Sequence, residues 1–357
     1  MKVMISLLCI LCLLTGCLQT SILDEIQLVH AVGYDYFDEE RIEATVNVPV
    51  YNLGDIIESE TISAVSKTSK DARLALNAQA SKPLHSGKIT TILFNEEVAQ
   101  KTGLMSVLDT FSREPTIGMR NYIVITQGSS KELLNSTYPL EMEVATYLEK
   151  LIEQNIELQN MPSTNFHLFL KYFYEEGRDP FLPYIRQEKN HVKVDGVALF
   201  KEDRYVDRID LTDTFIMKIL LEPTSNGTYE VELGGQNEFA VLRNIHSKTK
   251  YKIEHGTNTP KIDVFVEFKG KINEYSGQII DPPKLEEIKG TLTRQIQTDS
   301  DRLIKLFQER NIDPIGIGSR VRGKNYQFKL AEWEDYYPNA QINVEVKVEI
   351  TETGVRQ

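Results

Sequence analysis

The chain has 357 residues carrying 52 acidic and 40 basic side chains, and a net charge of −12 excludes a general nucleic-acid binder because phosphate backbones repel such a surface. Its length is ample for two or three domains of roughly 100–150 residues each. The three cysteines, Cys9, Cys12 and Cys17, all lie at the extreme N-terminus, so the body has neither a disulfide framework nor a cysteine metal site.

The first element is a short hydrophobic run. Lys2 gives it a positive start, Val3 to Leu14 an apolar centre, and Leu14-Thr15-Gly16-Cys17 closes it with small residues before a thiol. The apolar stretch is shorter than the roughly 20 residues that a membrane span needs. It reads as a lipoprotein signal peptide over residues 1–16. Cys17, as first residue of the mature chain, takes an S-diacylglycerol group and then an N-acyl group. Loss of Lys2 leaves 39 basic against 52 acidic side chains, net −13. Anionic headgroups repel that surface, so the acyl chains and not a basic patch hold the protein to membrane lipid. Phe215 to Leu221 is too short, and carries Lys218, to serve as a second span. The linker from Leu18 to Ser21 reaches at most about 15–30 Å, which keeps the body near its membrane.

Two strands are predicted next, Ile26 to Tyr34 and Ile42 to Val50, joined by the acidic turn Asp38-Glu39-Glu40. In the second, Ile42, Ala44, Val46, Val48 and Val50 alternate with polar residues and Pro49, which suggests an edge strand. Thr68 caps a helix with Ala72, Leu74, Ala75 and Ala78 on its apolar face. A strand follows over Lys88 to Phe94, then two short helices, the first ending at Gly103, then a buried strand from Asn121 to Thr126. Helices are expected from about Leu140 to Leu158 and from Phe166 to Gly177, and the Phe166, Phe169, Leu170, Phe173 stripe of the latter reads as core. Arg178 to Asn190 has two prolines and no period, which marks a domain boundary at 190.

The N-terminal α/β domain thus spans 17–190. A small ββα-containing domain, 191–240, is predicted from strands beginning at Val192 and Tyr205 around the turn Lys201-Glu202-Asp203-Arg204, with a helix capped by Thr212. The C-terminal domain, 241–357, holds the alternating strand Lys261 to Ile272, a long helix from Lys284 to Arg310 after Pro282-Pro283, and a closing strand from Ala340 to Ile350. The fold class is α+β: three consecutive mixed α/β domains of unusual topology with antiparallel-rich sheets.

Chemistry is hard to find. The histidines His30, His85, His167, His191, His246 and His255 are scattered, with no His-Glu-x-x-His spacing for zinc. No Gly-x-Ser-x-Gly elbow is present. Gly316-Ile317-Gly318 with Arg320, Arg322 and Gly323 lacks the strand context and Gly-Lys-Ser/Thr ending of a phosphate loop, so it reads as a turn whose glycines take positive φ. Trp333 reads as a packing anchor. No catalytic, cofactor or metal residues are assigned. A transporter's solute-binding lipoprotein would need two parallel α/β lobes, against which the closing strands argue. A lipid-tethered hydrolase would need a constellation that is not visible.

One resemblance accounts for these features together. The lipobox, Gly33-x-Asp35, the segment Lys88-Ile89 to Asn95-Glu96-Glu97, Arg113-Glu114-Pro115-Thr116-Ile117-Gly118, Gly196-x-Ala198-x-Phe200-Lys201, Asn273-Glu274-Tyr275 and Asp313-Pro314-x-Gly316-x-Gly318 occur in this order before a closing strand. Their order resembles the Ger(x)C family, the lipoprotein C subunits of spore germinant receptors. The resemblance implies an outer-face lipid anchor on the inner membrane of a spore, partnership with A and B membrane subunits, and no enzymatic activity. It carries over Cys17 alone as a residue with a defined chemical role. Leu18-Gln19 stand where many members have Trp-Asp.

Overall fold

The computed structural model describes residues 25–51, 57–139, 142–158, 160–234, 238–254, 260–324 and 330–353. Strands β1 (Gln27–Leu28), β2 (Ala31–Tyr36) and β3 (Ile42–Tyr51) lie where alternation predicts them. The edge expectation for β3 is overturned, because β2 flanks it on one side and β4 (Ile57–Ser66) on the other, with Pro49 opposite Ser59. β4 escaped the sequence reading because, among its described side chains, only Ile62 and Ala64 reach the core.

Thr68 caps α1 (Ser69–Asn77) by accepting from the Asp71 amide. After β5 (Leu84–His85) a single 3-10 turn delays β6 to Thr91–Asn95, and Asn95 then caps α2 (Glu96–Lys101). Next come α3 (Met105–Ser112), the buried β7 (Tyr122–Gln127), α4 (Ser130–Asn135), α5 (Val144–Leu158) and α6 (Phe166–Tyr174). Phe166, Phe169 and Leu170 of α6 pack in the core, as their stripe predicts.

The aperiodic stretch at 178–190 holds a strand, β8 (Phe181–Glu188), which the sequence reading missed. Its first five residues are all buried; a strand covered on both faces shows no alternation. β9 (His191–Lys201) and β10 (Arg204–Ile209) form the predicted hairpin. The helix that follows, α7 (Leu211–Leu221), is capped by Asp210, whose side chain accepts from the Asp213 amide; Thr212 lies inside the helix.

The remainder comprises β11 (Thr228–Glu232), β12 (Phe239–Glu254), β13 (Lys261–Tyr275), α8 (Pro282–Glu309), α9 (Ile317–Lys324), α10 (Leu330–Tyr336) and β14 (Ile342–Thr353). Asp281 caps α8 and prolines open it, which fits their missing N–H at a helix start.

The protein is mixed α+β. An eight-stranded sheet runs β10-β9-β8-β7-β6-β2-β3-β4, with β2, β6, β7 and β8 parallel at its centre and antiparallel hairpins on both flanks. A four-stranded sheet runs β11-β12-β13-β14. Its last strand lies parallel to β13, where the sequence suggested antiparallel pairing, because the connection passes through α8, long enough for a crossover.

Helices α1, α2, α3 and α6 cover one face of the large sheet. The other face shares one continuous apolar cluster, from Ala31 to Val348, with the smaller sheet and α8. At its centre is α7, in which every residue from Asp213 to Leu220 is buried, and even the Lys218 ammonium is turned inward to donate to the Ile156 carbonyl. The division expected at 190 falls in the hairpin between β8 and β9, and that at 240 falls within β12.

Candidate functional site at the joint of the two halves

Cys17, the residue singled out by the sequence, lies outside the described residues. Within them, a buried polar network forms a joint between the large sheet and the C-terminal half. It is built where β8 begins, where β9 turns into β10, and where the chain leaves α8.

Asp179 and Asp313 form its centre, both nearly fully buried. Asp179 accepts from the Glu202 amide at 3.2 Å and from the Asp313 amide at 2.8 Å, while its own amide donates to the Asp313 carbonyl at 3.0 Å. One carboxylate therefore grips the β9–β10 turn and the segment after α8. Lys201 lies 3.6 Å from Asp179 and 3.7 Å from Glu334. Asp313 in turn caps α9, accepting from the Ile317 amide at 2.9 Å and the Gly318 amide at 2.7 Å.

The glycines explain themselves here. Gly316 has φ +70°, the conformation that lets the chain turn from Asp313 into α9. Gly318 is helical, not a positive-φ residue as the sequence suggested; a Cβ there would sit 2.4 Å from Trp333 Nε1 and 2.9 Å from the Gly177 carbonyl. Trp333 is the packing anchor expected, its ring packed at a tilt against Tyr336 and Tyr337. Arg178 lies over the Tyr172 ring at 3.6 Å and Arg320 over Tyr251 at 4.3 Å, so cation–π contacts flank the joint on both sides.

Burial pushes the Asp313 carboxyl up to about 6, with the neighbouring Asp179 charge adding to the rise against its two amide bonds. Burial also raises Asp179, opposed chiefly by Lys201. A cavity of about 480 Å³ opens over the joint, and no His, Cys or Ser lines it. Both central carboxylates are engaged by backbone amides. The arrangement fastens two halves together and offers no nucleophile–base pair.

The histidines do not gather either. His30 is buried and bonded to Glu143 at 2.7 Å, and His255 lies outside the described residues. Among the described residues no group of three or more His, Cys, Asp or Glu is placed to hold a metal, and no helix is long and apolar enough to cross a membrane.

Residues 19–187 match the family described as spore germination protein N-terminal domain, and residues 195–354 match the spore germination B3/GerAC-like C-terminal family. Spore germination protein GerQC of Bacillus cereus is 32% identical over 347 residues, covering 96% of each chain. The chain belongs to this spore germination family. More distant relatives include spore germination protein A3 of Bacillus subtilis, 23% identical over 96% of this chain and 95% of the relative. The crystal structure of the GerBC protein superposes with a TM-score of 0.61 over 89% of this chain and 96% of that one, at 13% identity, and shows the same fold.

The family resemblance named Gly196, Lys201, Asp313, Gly316 and Gly318, and the structure gives each a reason to be what it is. A Cβ on Gly196, at φ +133°, would lie 1.8 Å from the Ile209 carbonyl. Sequence reasoning missed Asp179, Trp333's contact with Gly318, and the buried Tyr337. The Arg178-Asp179-Pro180 run carried the one available signal, a charged pair just ahead of five apolar or proline-compatible positions.

Proposed function

We propose that the chain is the lipoprotein C subunit of a spore nutrient germinant receptor, anchored through acylated Cys17 on the outer face of the cell membrane, in spores the inner membrane, and working with A and B membrane subunits. The observation that carries this reading is the 32% identity to a spore germination protein along 96% of both chains. The apolar run ending in Leu14-Thr15-Gly16-Cys17 supplies the anchor, and a mature charge of −13 gives the body no attraction of its own to anionic lipid. The joint fits a fastening part, since its buried carboxylates are taken up by backbone amides.

The test is a Cys17→Ala chain in spores, with a tagged wild-type copy beside it. Acyl labelling should vanish, the variant should leave the membrane fraction, and response to one nutrient class should be lost while non-nutrient triggers still act. The tagged wild type should bring polytopic partners with it from spore membranes. Persistent acyl labelling of the variant would refute the anchor, and an unchanged nutrient response after loss of label would refute the receptor role.

A further inference from the structure

Among the described residues, the smaller sheet ends in an edge that no other strand covers. β14 stands last in the order β11-β12-β13-β14, and its hydrogen bonds run to β13 alone. The Gln341 carbonyl accepts from the Ile262 amide of β13. By the alternation of a parallel ladder, the odd-numbered residues of β14 bond β13, and the even-numbered ones from Ile342 to Ile350 turn their N–H and C=O groups outward.

Sheet edges are normally guarded by shortness, bulges or charge. β11 has five residues, β10 has six with a bulge between Tyr205 and Asp207, and β4 begins among Glu58 and Glu60. β14 has none of these guards on its inner face. From 342 to 350 its pairing is regular and free of proline, and that face is apolar throughout, with Ile342, Val346 and Ile350 only half-buried. Beside its first half runs a groove of about 610 Å³ against α8, lined by Ile304, Ile342 and Val344 with Asp301 and Lys305. An unpaired edge of this kind is a template for another strand.

The outer face of β14 selects that strand. It carries Asn343, Glu345, Lys347 and Glu349. Glu349 is already paired with Lys269 at 2.9 Å, whereas Glu345 has no ion-pair partner among the described residues. An antiparallel copy of the same strand, set with Val346 opposite Val346, places Glu345 against Lys347 and Lys347 against Glu345. Asn343 then faces Glu349, and Ile342 and Val344 face Ile350 and Val348, apolar against apolar. Moving the two-fold axis to Glu345 or Lys347 sets like charges face to face, which is destabilising. Moving it to Val348 carries the pairing through the irregularity that follows Ile350. With the axis at Val346, each outward N–H and C=O from Ile342 to Ile350 gains a partner, and Ile350 of the second copy comes to lie at the groove beside Ile342.

We propose that β14 is a self-association edge, on which two copies of this chain pair antiparallel about Val346 and make one sheet continuous across both. The contact uses the same patch on each copy, so it closes as a dimer and does not propagate into a fibre. It stands on strand geometry and charge and not on the receptor reading, which its failure would leave untouched.

The test is sedimentation equilibrium of the full-length chain, purified in a non-ionic detergent, at low salt. The wild type should be dimeric at about 50 µM. Glu345→Lys and Lys347→Glu should each weaken the dimer at least about tenfold, because both symmetry-related pairs become repulsive at once. Both side chains are exposed, so each variant monomer should keep the wild-type melting temperature. The double variant Glu345→Lys/Lys347→Glu should recover the wild-type dissociation constant within about threefold, since the pairs form again with their signs exchanged. A wild type that is still monomeric at about 100 µM, single substitutions without effect, or a double variant as weak as the single ones would each overturn the proposal.

Discussion

Gly318 sits inside helix α9, where replacing glycine by alanine ordinarily stabilises by about 0.5–1 kcal/mol. Here the sign reverses. The new methyl would meet Trp333 at 2.4 Å and a backbone carbonyl at 2.9 Å, and overpacking of this kind costs about 1–3 kcal/mol. Gly318→Ala should therefore lower the urea midpoint, whereas Gly290→Ala, in α8 with nothing within 4 Å of its would-be Cβ, should raise it, with a gain of about 0.5–1 kcal/mol in unfolding free energy. Equal effects at the two positions would show that the joint is not tightly packed. Asp313 adds a pH signature. Its folded-state value of about 6 lies above the unfolded value near 3.9, so the folded chain holds the proton more tightly between those limits. That contribution is fully present below about pH 4 and is lost as pH rises through about 6. Relative to Asp313→Asn, which cannot titrate, the wild type should gain on the order of 1 kcal/mol in unfolding free energy between pH 7 and pH 5. A flat difference across that range would place the carboxyl in a more solvated setting than the two buried amide bonds indicate.

Among the elements, α8 and β14 were legible because each shows one face to the core and one to water, so a period survives in the sequence. Ile288, Leu292, Ile296, Leu303, Ile304 and Phe307 are all buried in α8, as their spacing predicted. β8 and β4 were not legible, for opposite reasons: the start of β8 is buried on both faces, and among β4's described side chains only Ile62 and Ala64, on one face, are buried. The joint was half legible, since Asp313 and its glycines lie in a motif whereas Asp179 lies in a stretch with no period at all. β14 also carries a prediction. It pairs with β13 from Ile342 to Thr353, and Val344 and Val348 lie in the core with Ile342, Val346 and Ile350 packed against it. Each buried aliphatic side chain is worth about 1.5–3 kcal/mol, and a domain's whole margin is about 5–15 kcal/mol. A chain ending at Asn339 should fail to accumulate in spore membranes by immunoblot. If it accumulates at the wild-type level, β14 is dispensable for folding.

At the scale of the whole molecule, the two segments matched by separate family descriptions meet inside a single framework. The β8–β9 hairpin carries the large sheet across residue 190, Asp179 ties the start of β8 to the segment after α8, and α7 is buried between the large sheet, β12 and α8. Removing the C-terminal half would strip cover from Phe215, Ile216, Ile219 and Leu220, all within 1% of full burial, and at about 1.5–3 kcal/mol each their exposure is comparable to the stability of a domain. The halves should consequently unfold together. The part from Leu18 onward has no cysteine and should fold in a reducing cytoplasm, so it can be made without its lipid and heated in a calorimeter. One transition is expected, with calorimetric and van't Hoff enthalpies in agreement. Asp179→Ala should lower that transition and begin to split it, because it frees the Glu202 and Asp313 amides that one carboxylate now holds. Two resolved transitions in the wild type would instead mean that the halves are independent bodies, and that the buried α7 and the shared core do not couple them.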